Sequence, residues 1–491
     1  MSWFDFDVAS PLAAKTGLPI RGGIRFVGDG GSSPHQFDLD KNNFAPRFAF
    51  AYTLSPRTVL RGGYGIFYLP FAGEAAGRSS GTPGFSASTD WASSLDGVTP
   101  NDRLANPFPK GITQPQAPKS GLLTSIGQRL SGSDAVADRG SRSGYSQQWN
   151  FNIQRELAGK LSVEVAYTGS RGLKLPDGPN GIEWNQLDPQ YLSLGSRLLE
   201  TVPNPFLGLI DAGTLSAARV TRGQLLRPFP QYLGVLSARP ATAASTYHAA
   251  QARVEKRFSN GLTLLVAYTK AKLIDDSSQT VGFLGPAPEH QDIYNRRADR
   301  AVSGLDISQR VVTSFIYDLP IGRGKAVGGS MPRFLSLTVG GWQVNGIVTY
   351  STNVPLAIVN SQNNSNAFNP VQRPNSLGNP ELPGDRPTSE RLARWFDPDK
   401  FAQPAAFSFG NLGRTLPNVR GDTIRNFDLS LFKYIPIRER FRLEVRGEFF
   451  NGFNTPRFAS PNLNFGAGNF GRVNAQQNSP RQVQVGAKLY F

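Results

Sequence analysis

The sequence predicts an all-β fold, an antiparallel barrel whose strands cross a membrane. Three observations carry this expectation: strands with one apolar and one polar face, short turns alternating with long loops, and a final strand ending on an aromatic residue. Hydrocarbon accepts a sheet only when its backbone groups pair with one another, so such strands are expected to curl into a barrel.

The clearest strand lies in residues 439–451, ERFRLEVRGEFFN. Phe441, Leu443, Val445 and Phe449 fall on one face, because side chains alternate along a strand. Arg440, Arg442, Glu444, Arg446 and Glu448 fall on the other. So many charges in a dry core would carry a large desolvation cost, so this face is expected to line a wet lumen. The pattern repeats along the chain. Trp149, Phe151 and Ile153 lie opposite Gln148, Asn150, Asn152 and Gln154. After a turn near Gly159, Leu161, Val163, Val165 and Tyr167 lie opposite Ser162, Glu164 and Thr168. Gln251, Arg253, Glu255 and Arg257 make another polar face; Ser259-Asn260-Gly261 turns the chain, and Leu262, Leu264, Val266 and Tyr268 return as an apolar face. Further pairs are expected at 47–53 with 57–68, 310–319 with 338–351 and 425–434 with 439–451, before the last strand at 482–491. Tyr52, Tyr68, Tyr167, Tyr268, Tyr317, Tyr350, Tyr434, Phe449, Phe450 and Phe491 stand at strand ends. They are expected to form an aromatic girdle, since a ring with a polar edge suits a lipid–water boundary.

Connections come in two lengths. Leu54-Ser55-Pro56 and Ile435-Pro436-Ile437 are short, whereas 69–143, 172–245, 273–305 and 352–423 are long and rich in Gly, Pro, Ser and Asn. Short turns on one side and long loops on the other are the habit of membrane barrels. The 52 Gly and 37 Pro suit turns and oppose long helices. Cys is absent, which removes disulfides, thiolate metal sites and a Cys nucleophile. The net charge is +16, but charged residues make up only 18% and no Lys/Arg run reaches five, so no nucleic-acid partner is expected. No apolar stretch is long enough for a transmembrane helix. The start, MSWFDFDVASPLAAKTGLPI, lacks the basic and apolar regions of an export signal. The expectation is therefore a chain whose amino-terminal part lies elsewhere, through truncation or a split gene.

The terminal strand, QVQVGAKLYF, places Val483, Val485, Ala487, Leu489 and Phe491 on its apolar face. A polar residue, a glycine and two hydrophobic positions, the last aromatic, fall on Gln484, Gly486, Leu489 and Phe491. This resembles the β-signal read by the outer-membrane barrel assembly machinery, which would pair with the strand's open edge. The expected location is the outer membrane of a Gram-negative cell, with its lipid and that machinery as partners.

Several segments together resemble the Oar-like branch of TonB-dependent receptors. They are NNFAPRFAFAYTLSPRTVLRGGYGIFY (42–68), YSQQWNFNIQREL with LSVEVAYTGSRGLKL (145–175), YHAAQARVEKRFSNGLTLLVAYTKAK (247–272), RADRAVSGLDISQRVVTSFIYDLPIGRGK (297–325), GGWQVNGIVTYSTNVP (340–355) and FDLSLFKYIPIRERFRLEVRGEFFNGFNTPRF (427–458). The resemblance implies a barrel of about 22 strands closed by a plug and driven through TonB, of which this chain would supply about 12 to 16. No plug or TonB box is recognisable in residues 1–491, so the whole chain reads as one barrel domain and TonB contact would run through a plug it lacks.

Sites of chemistry are not expected. His35, His248 and His290 are far apart, and His290 with Asp292 reads as a solvated loop pair rather than a metal site. Asp275-Asp276 and Asp397-Pro398-Asp399 read as turn formers, and Gly322-Arg323-Gly324-Lys325 as a turn without phosphate-loop spacing. The chain is read as a non-enzyme with no catalytic residues, metal or cofactor. Its expected role is uptake of a large or scarce ligand, a metal chelate or an oligosaccharide. Adhesion or surface display is the alternative, and a soluble all-β carbohydrate binder a third reading.

Overall fold

The computed structural model describes residues 1–69, 82–85, 87, 89, 91, 93–94, 98–101, 103–108, 111–112, 114–177, 181–211, 213–237, 240–277, 290–438 and 440–491. An amino-terminal hairpin, β1 (Ser2–Ala9) and β2 (Arg21–Phe26), precedes a single large sheet. Five hairpins and a terminal strand build that sheet: β3 (Arg47–Ser55) with β4 (Thr58–Tyr68), β5 (Tyr145–Leu157) with β6 (Leu161–Pro176), β7 (Ala241–Ser259) with β8 (Leu262–Asp275), β9 (Gln309–Asp318) with β10 (Trp342–Ser351), β11 (Ile424–Arg438) with β12 (Phe441–Phe450), and β13 (Gln482–Tyr490). A twelfth strand of two residues, Ala301–Val302, pairs beside β8. Each strand from β3 to β13 pairs antiparallel with its sequence neighbour in the sheet.

The registers sort side chains by face. Leu60, Ile153, Val165, Ala252, Tyr268, Val311 and Tyr350 stand opposite one another in a row across seven strands. One residue along, the row is Arg61, Asn152, Ala166, Gln251, Thr269, Arg310 and Ser351. The alternation is thus kept in step across the whole wall, as a slip of one residue would exchange the faces.

Burial is inverted relative to a water-soluble protein. On the apolar face Phe441, Val445 and Phe449 are 45%, 36% and 37% exposed, and Val165 and Val485 are barer still. The hydrophobic cores lie in the loops instead. Phe4, Ile24, Leu130, Phe229 and Tyr232 form one; Leu356, Phe396, Phe401, Leu412 and Val419 form another. An apolar sheet face of this extent stands bare only where hydrocarbon covers it.

Antiparallel order puts the connections at alternate ends. The chain leaves β4, β6, β8, β10 and β12 at one end, where it also enters β3, and passes between β3 and β4, β5 and β6, β7 and β8, β9 and β10, and β11 and β12 at the other. The long connections begin later than the sequence pattern suggests, because β6 and β7 stay paired from Gly172 with Ser245 out to Pro176 with Ala241. Ile435-Pro436-Ile437 is strand, and the turn follows it.

Both edge strands, β3 and β13, run from the loop end to the turn end. Among the described residues each pairs on one side only. Joined directly they would pair in parallel; antiparallel closure takes an odd number of further strands. The chain therefore presents a partial barrel wall.

Candidate functional site

Two regions offer chemistry: the polar face of the wall and the body formed by the long loops. On the wall, Arg442, Glu444, Arg446 and Glu448 share a face with Gln484, Gly486, Lys488 and Tyr490 of β13. Glu444 is buried and accepts a 2.8 Å hydrogen bond from the Tyr490 hydroxyl. The Arg442 guanidinium lies over the rings of Tyr490 and Tyr434, at 4.5 and 4.9 Å. Arg446 Nε stands 3.9 Å from Glu448. Gly486 leaves room for Arg446, since a Cβ there would sit 3.1 Å from Arg446 Nε. Replacing Tyr490 with Phe removes the hydrogen bond that its hydroxyl gives Glu444 and is expected to cost about 1–3 kcal/mol, read as a lower urea midpoint in micelles.

The expected ladder needs one correction. Arg440 lies in the turn before β12 and is exposed, so the ladder starts at Arg442. A residue outside the pleat has no fixed face. The girdle also splits. Tyr52, Tyr167 and Tyr350 are exposed on the apolar side, but Tyr434 and Phe450 share the polar face with Arg442. The assembly positions divide by alternation: Gln484 and Gly486 face the polar side, and Leu489 the apolar side, 49% exposed. Phe491 follows the end of β13 and is 90% exposed.

The loop body is held by buried charge. Asp177, directly after β6, is fully enclosed. It accepts from Thr242 Oγ1 at 2.9 Å, Ser277 Oγ at 3.1 Å and Arg296 Nη2 at 2.7 Å. His290 sits between two carboxylates, with Nε2 2.9 Å from Asp177 and Nδ1 2.7 Å from Asp299. Asp299 also pairs with Arg373, and its carbonyl accepts from Arg414 Nε at 2.8 Å. Arg414 reaches on to Asp275 at the end of β8. Gln291 ties the same loops by donating to the Gly410 carbonyl at 2.9 Å and accepting from the Arg373 amide at 2.7 Å. A second centre holds the buried Glu183 and Arg227, with the exposed Arg129 at its rim: Arg129 Nη2 lies 2.9 Å from Glu183, and Arg227 Nε donates to the Asn185 carbonyl at 2.7 Å.

These surroundings move the titrations. Burial alone would raise the Asp177 carboxyl, but the hydrogen bond from His290 and the charges of His290 and Arg296 hold it down at about 2. Burial would lower His290, but its hydrogen bonds to Asp177 and Asp299 hold it above its ordinary value. Asp299 is lowered: burial opposes this, and the hydrogen bond from His290 with the charge of Arg373 overcomes it.

His290 is thus no solvated loop residue, contrary to the expectation. Its partners Asp177, Asp299 and Arg296, and the Arg373 that pairs with Asp299, come from three separate connections, and nothing in the local sequence announces them. Asp292 turns elsewhere, accepting from Gln186 Nε2 at 2.8 Å. Asp397 does serve a turn, accepting from the Asp399 amide at 3.2 Å. Gly322-Arg323-Gly324-Lys325 is a turn as well. Among the described residues no group of three or more His, Asp or Glu side chains is placed so that it could hold a metal ion.

Residues 1–484 match the family model of the outer membrane beta barrel domain. The chain belongs to that family. It is an outer-membrane β-barrel chain, and the bare apolar face described above is its lipid-facing side. No curated protein matches it in sequence. Solved structures similar to it are outer-membrane transporters and receptors. The outer membrane transporter YddB from Escherichia coli is 8% identical with a TM-score of 0.45, over 91% of this chain and 40% of that one. The siderophore receptor PiuA from Acinetobacter baumannii is 7% identical with a TM-score of 0.37, over 90% and 35%. The pyoverdine-bound FpvA of P. aeruginosa is 10% identical with a TM-score of 0.36, over 91% and 32%. The chain spans less than half the length of each of these.

Proposed function

We propose that this chain is the barrel portion of a TonB-dependent receptor of the Oar-like kind, taking up a large or scarce ligand such as a metal chelate or an oligosaccharide. The observation that carries the reading is the loop body at one end of the wall. Loops that only joined strands would need no cores of their own. These are locked together by His290, Asp177, Asp299 and Arg373, which suits a fixed binding surface above a charged lumen. Coupling to TonB is assigned to a plug beyond the elements described here. No catalytic step is assigned: the carboxylates around His290 are each held by an arginine.

A strain lacking this gene is expected to lose growth on its ligand, and loss of TonB should reproduce the defect. Uptake unchanged in both strains, with attachment to surfaces abolished, would replace transport by adhesion, the reading that the exposed loop body otherwise supports.

We also assign β13 as the strand read by the assembly machinery, through Gln484, Gly486, Leu489 and Phe491. Its outer edge is unpaired among the described residues, and Phe491 is free of packing. Deleting Phe491 is expected to slow membrane insertion severalfold, measured by heat-modifiable mobility after pulse labelling. Insertion at the unaltered rate would remove this assignment.

A further inference from the structure

One connection at the turn end differs from its neighbours. The other turns are tight, but the one between β9 and β10 runs from Leu319 to Gly341 and contains α1 (Arg333–Val339). It holds Arg323, Lys325 and Arg333 and no Asp or Glu. Its apolar side chains are bare, with Phe334 72% and Val327 56% exposed, and Leu335 and Val339 also exposed.

This bare segment is nevertheless fixed. The Gly322 amide donates to the Val327 carbonyl at 2.9 Å, and the Arg323 amide to Ser336 Oγ at 3.0 Å. At the end of α1, Trp342 Nε1 donates to the Thr338 carbonyl at 3.2 Å, Lys433 Nζ donates to the same carbonyl at 2.9 Å, and Lys433 also donates to the Gly340 carbonyl. The Lys433 ammonium stands 5.0 Å from the Trp342 ring centre. Gly341, at φ 69°, lets the chain press against β11: a Cβ there would lie 2.5 Å from the Tyr434 carbonyl oxygen.

The pins also fix the side of the wall. Trp342 and Lys433 are register partners, two residues from the partners Val344 and Leu431, and so share their outward apolar face. Helix α1 therefore lies outside the wall, at its turn-side rim, where hydrocarbon gives way to headgroups.

We propose that Leu319–Gly341 is an interfacial anchor that docks on anionic phospholipid headgroups of the leaflet at the turn end. Phe334, Leu335 and Val339 enter the boundary between headgroups and acyl chains, while Arg323, Lys325 and Arg333 pair with phosphates. Two features select this occupant: the patch continues the lipid-facing surface, and its charge has one sign. Cations beside apolar side chains are the pattern of helices that lie in the interface, and each basic residue near such a surface adds to the attraction.

The absence of Cys makes a clean test, since one introduced cysteine carries one label. The full chain carrying Phe334→Cys or, as reference, Arg57→Cys is labelled with an environment-sensitive fluorophore and placed in phosphatidylcholine vesicles with and without phosphatidylglycerol. The label at 334 is expected to be quenched by lipids brominated near the headgroup and shielded from aqueous acrylamide, more so with phosphatidylglycerol. Combining Arg323→Gln, Lys325→Gln and Arg333→Gln should lower the preference for phosphatidylglycerol by about tenfold. If that combination fails to insert, Lys325→Gln alone should lower it by a smaller measurable step. Acrylamide quenching at 334 equal to that at 57, or an anionic preference unchanged by removing the cations, overturns the proposal.

Discussion

Replacing Asp299 with Ala is expected to open the loop body while leaving the wall folded. Asp299 is 1% exposed and accepts from both His290 and Arg373. Its loss leaves the buried Arg373 guanidinium without its carboxylate and the buried His290 with Asp177 alone. Removing one partner from such a pair costs about 3–5 kcal/mol, because the remaining charge stays buried. The cost falls on the loops, where the three connections meet, and not on β3–β13. Proteolysis in 276–308 and 352–423 should accelerate by a hundredfold or more on the same free-energy scale, about 1.4 kcal/mol per factor of ten, while strand signal and heat-modifiable mobility persist. An unchanged cleavage pattern would show that the hydrophobic cores hold the body without the charges.

The same cluster gives the body a pH window. His290 titrates above its unfolded value of 6.5, so its stabilisation is complete below that pH and is lost as pH rises through the higher folded value. Asp177 titrates at about 2 against 3.8 unfolded, so its contribution is complete above 3.8 and is lost as pH falls through about 2. Protection of the loops should therefore be greatest between these limits. Above the window Arg296 offers partial compensation, because its Nη1 lies 2.9 Å from the Nε2 that a neutral His290 frees to accept. Protease protection that rises steadily from mildly acidic to alkaline pH would contradict the assignment.

The wall was legible in the sequence because its rule is local. Hydrocarbon outside and water inside impose a period of two on every strand, and ERFRLEVRGEFFN displays it without help from its neighbours. The rule fades where the membrane ends. On β6 the apolar face is interrupted at Gly169 and Arg171, so the continuation toward Pro176 reads as loop although Leu173 and Leu175 resume the alternation. The loop body was not legible for a different reason. Asp177, His290, Asp299, Arg373 and Arg414 come from connections far apart in the chain, and each looks like an ordinary polar loop residue until the fold assembles them. A faint signal exists at Arg414, whose near neighbours Leu412 and Leu416 are both core residues. Helix α1 was missed because residues 319–341, rich in Gly and carrying two prolines, match the composition of a turn.

Two substitutions at one height of the wall test the face assignment on which everything else rests. Val165 and Ala252 are register partners on the outside, and Ala166 and Gln251 are partners one step along on the inside. An arginine at position 165 must place its charge in hydrocarbon near mid-membrane, at a cost of about 2–4 kcal/mol. An arginine at position 251 points into water beside Thr269 and Ala166, where substitutions of this kind change stability by about 0.5 kcal/mol or less. Unfolding from lipid vesicles in guanidinium should therefore separate Val165→Arg from Gln251→Arg by several-fold in free energy, although the two positions are neighbours in the sheet. The ordering is what matters: in a water-soluble body with Val165 bare, Val165→Arg would be the harmless one. Equal tolerance of both arginines would mean that water bathes both faces of β6, and the membrane-spanning wall would have to be abandoned.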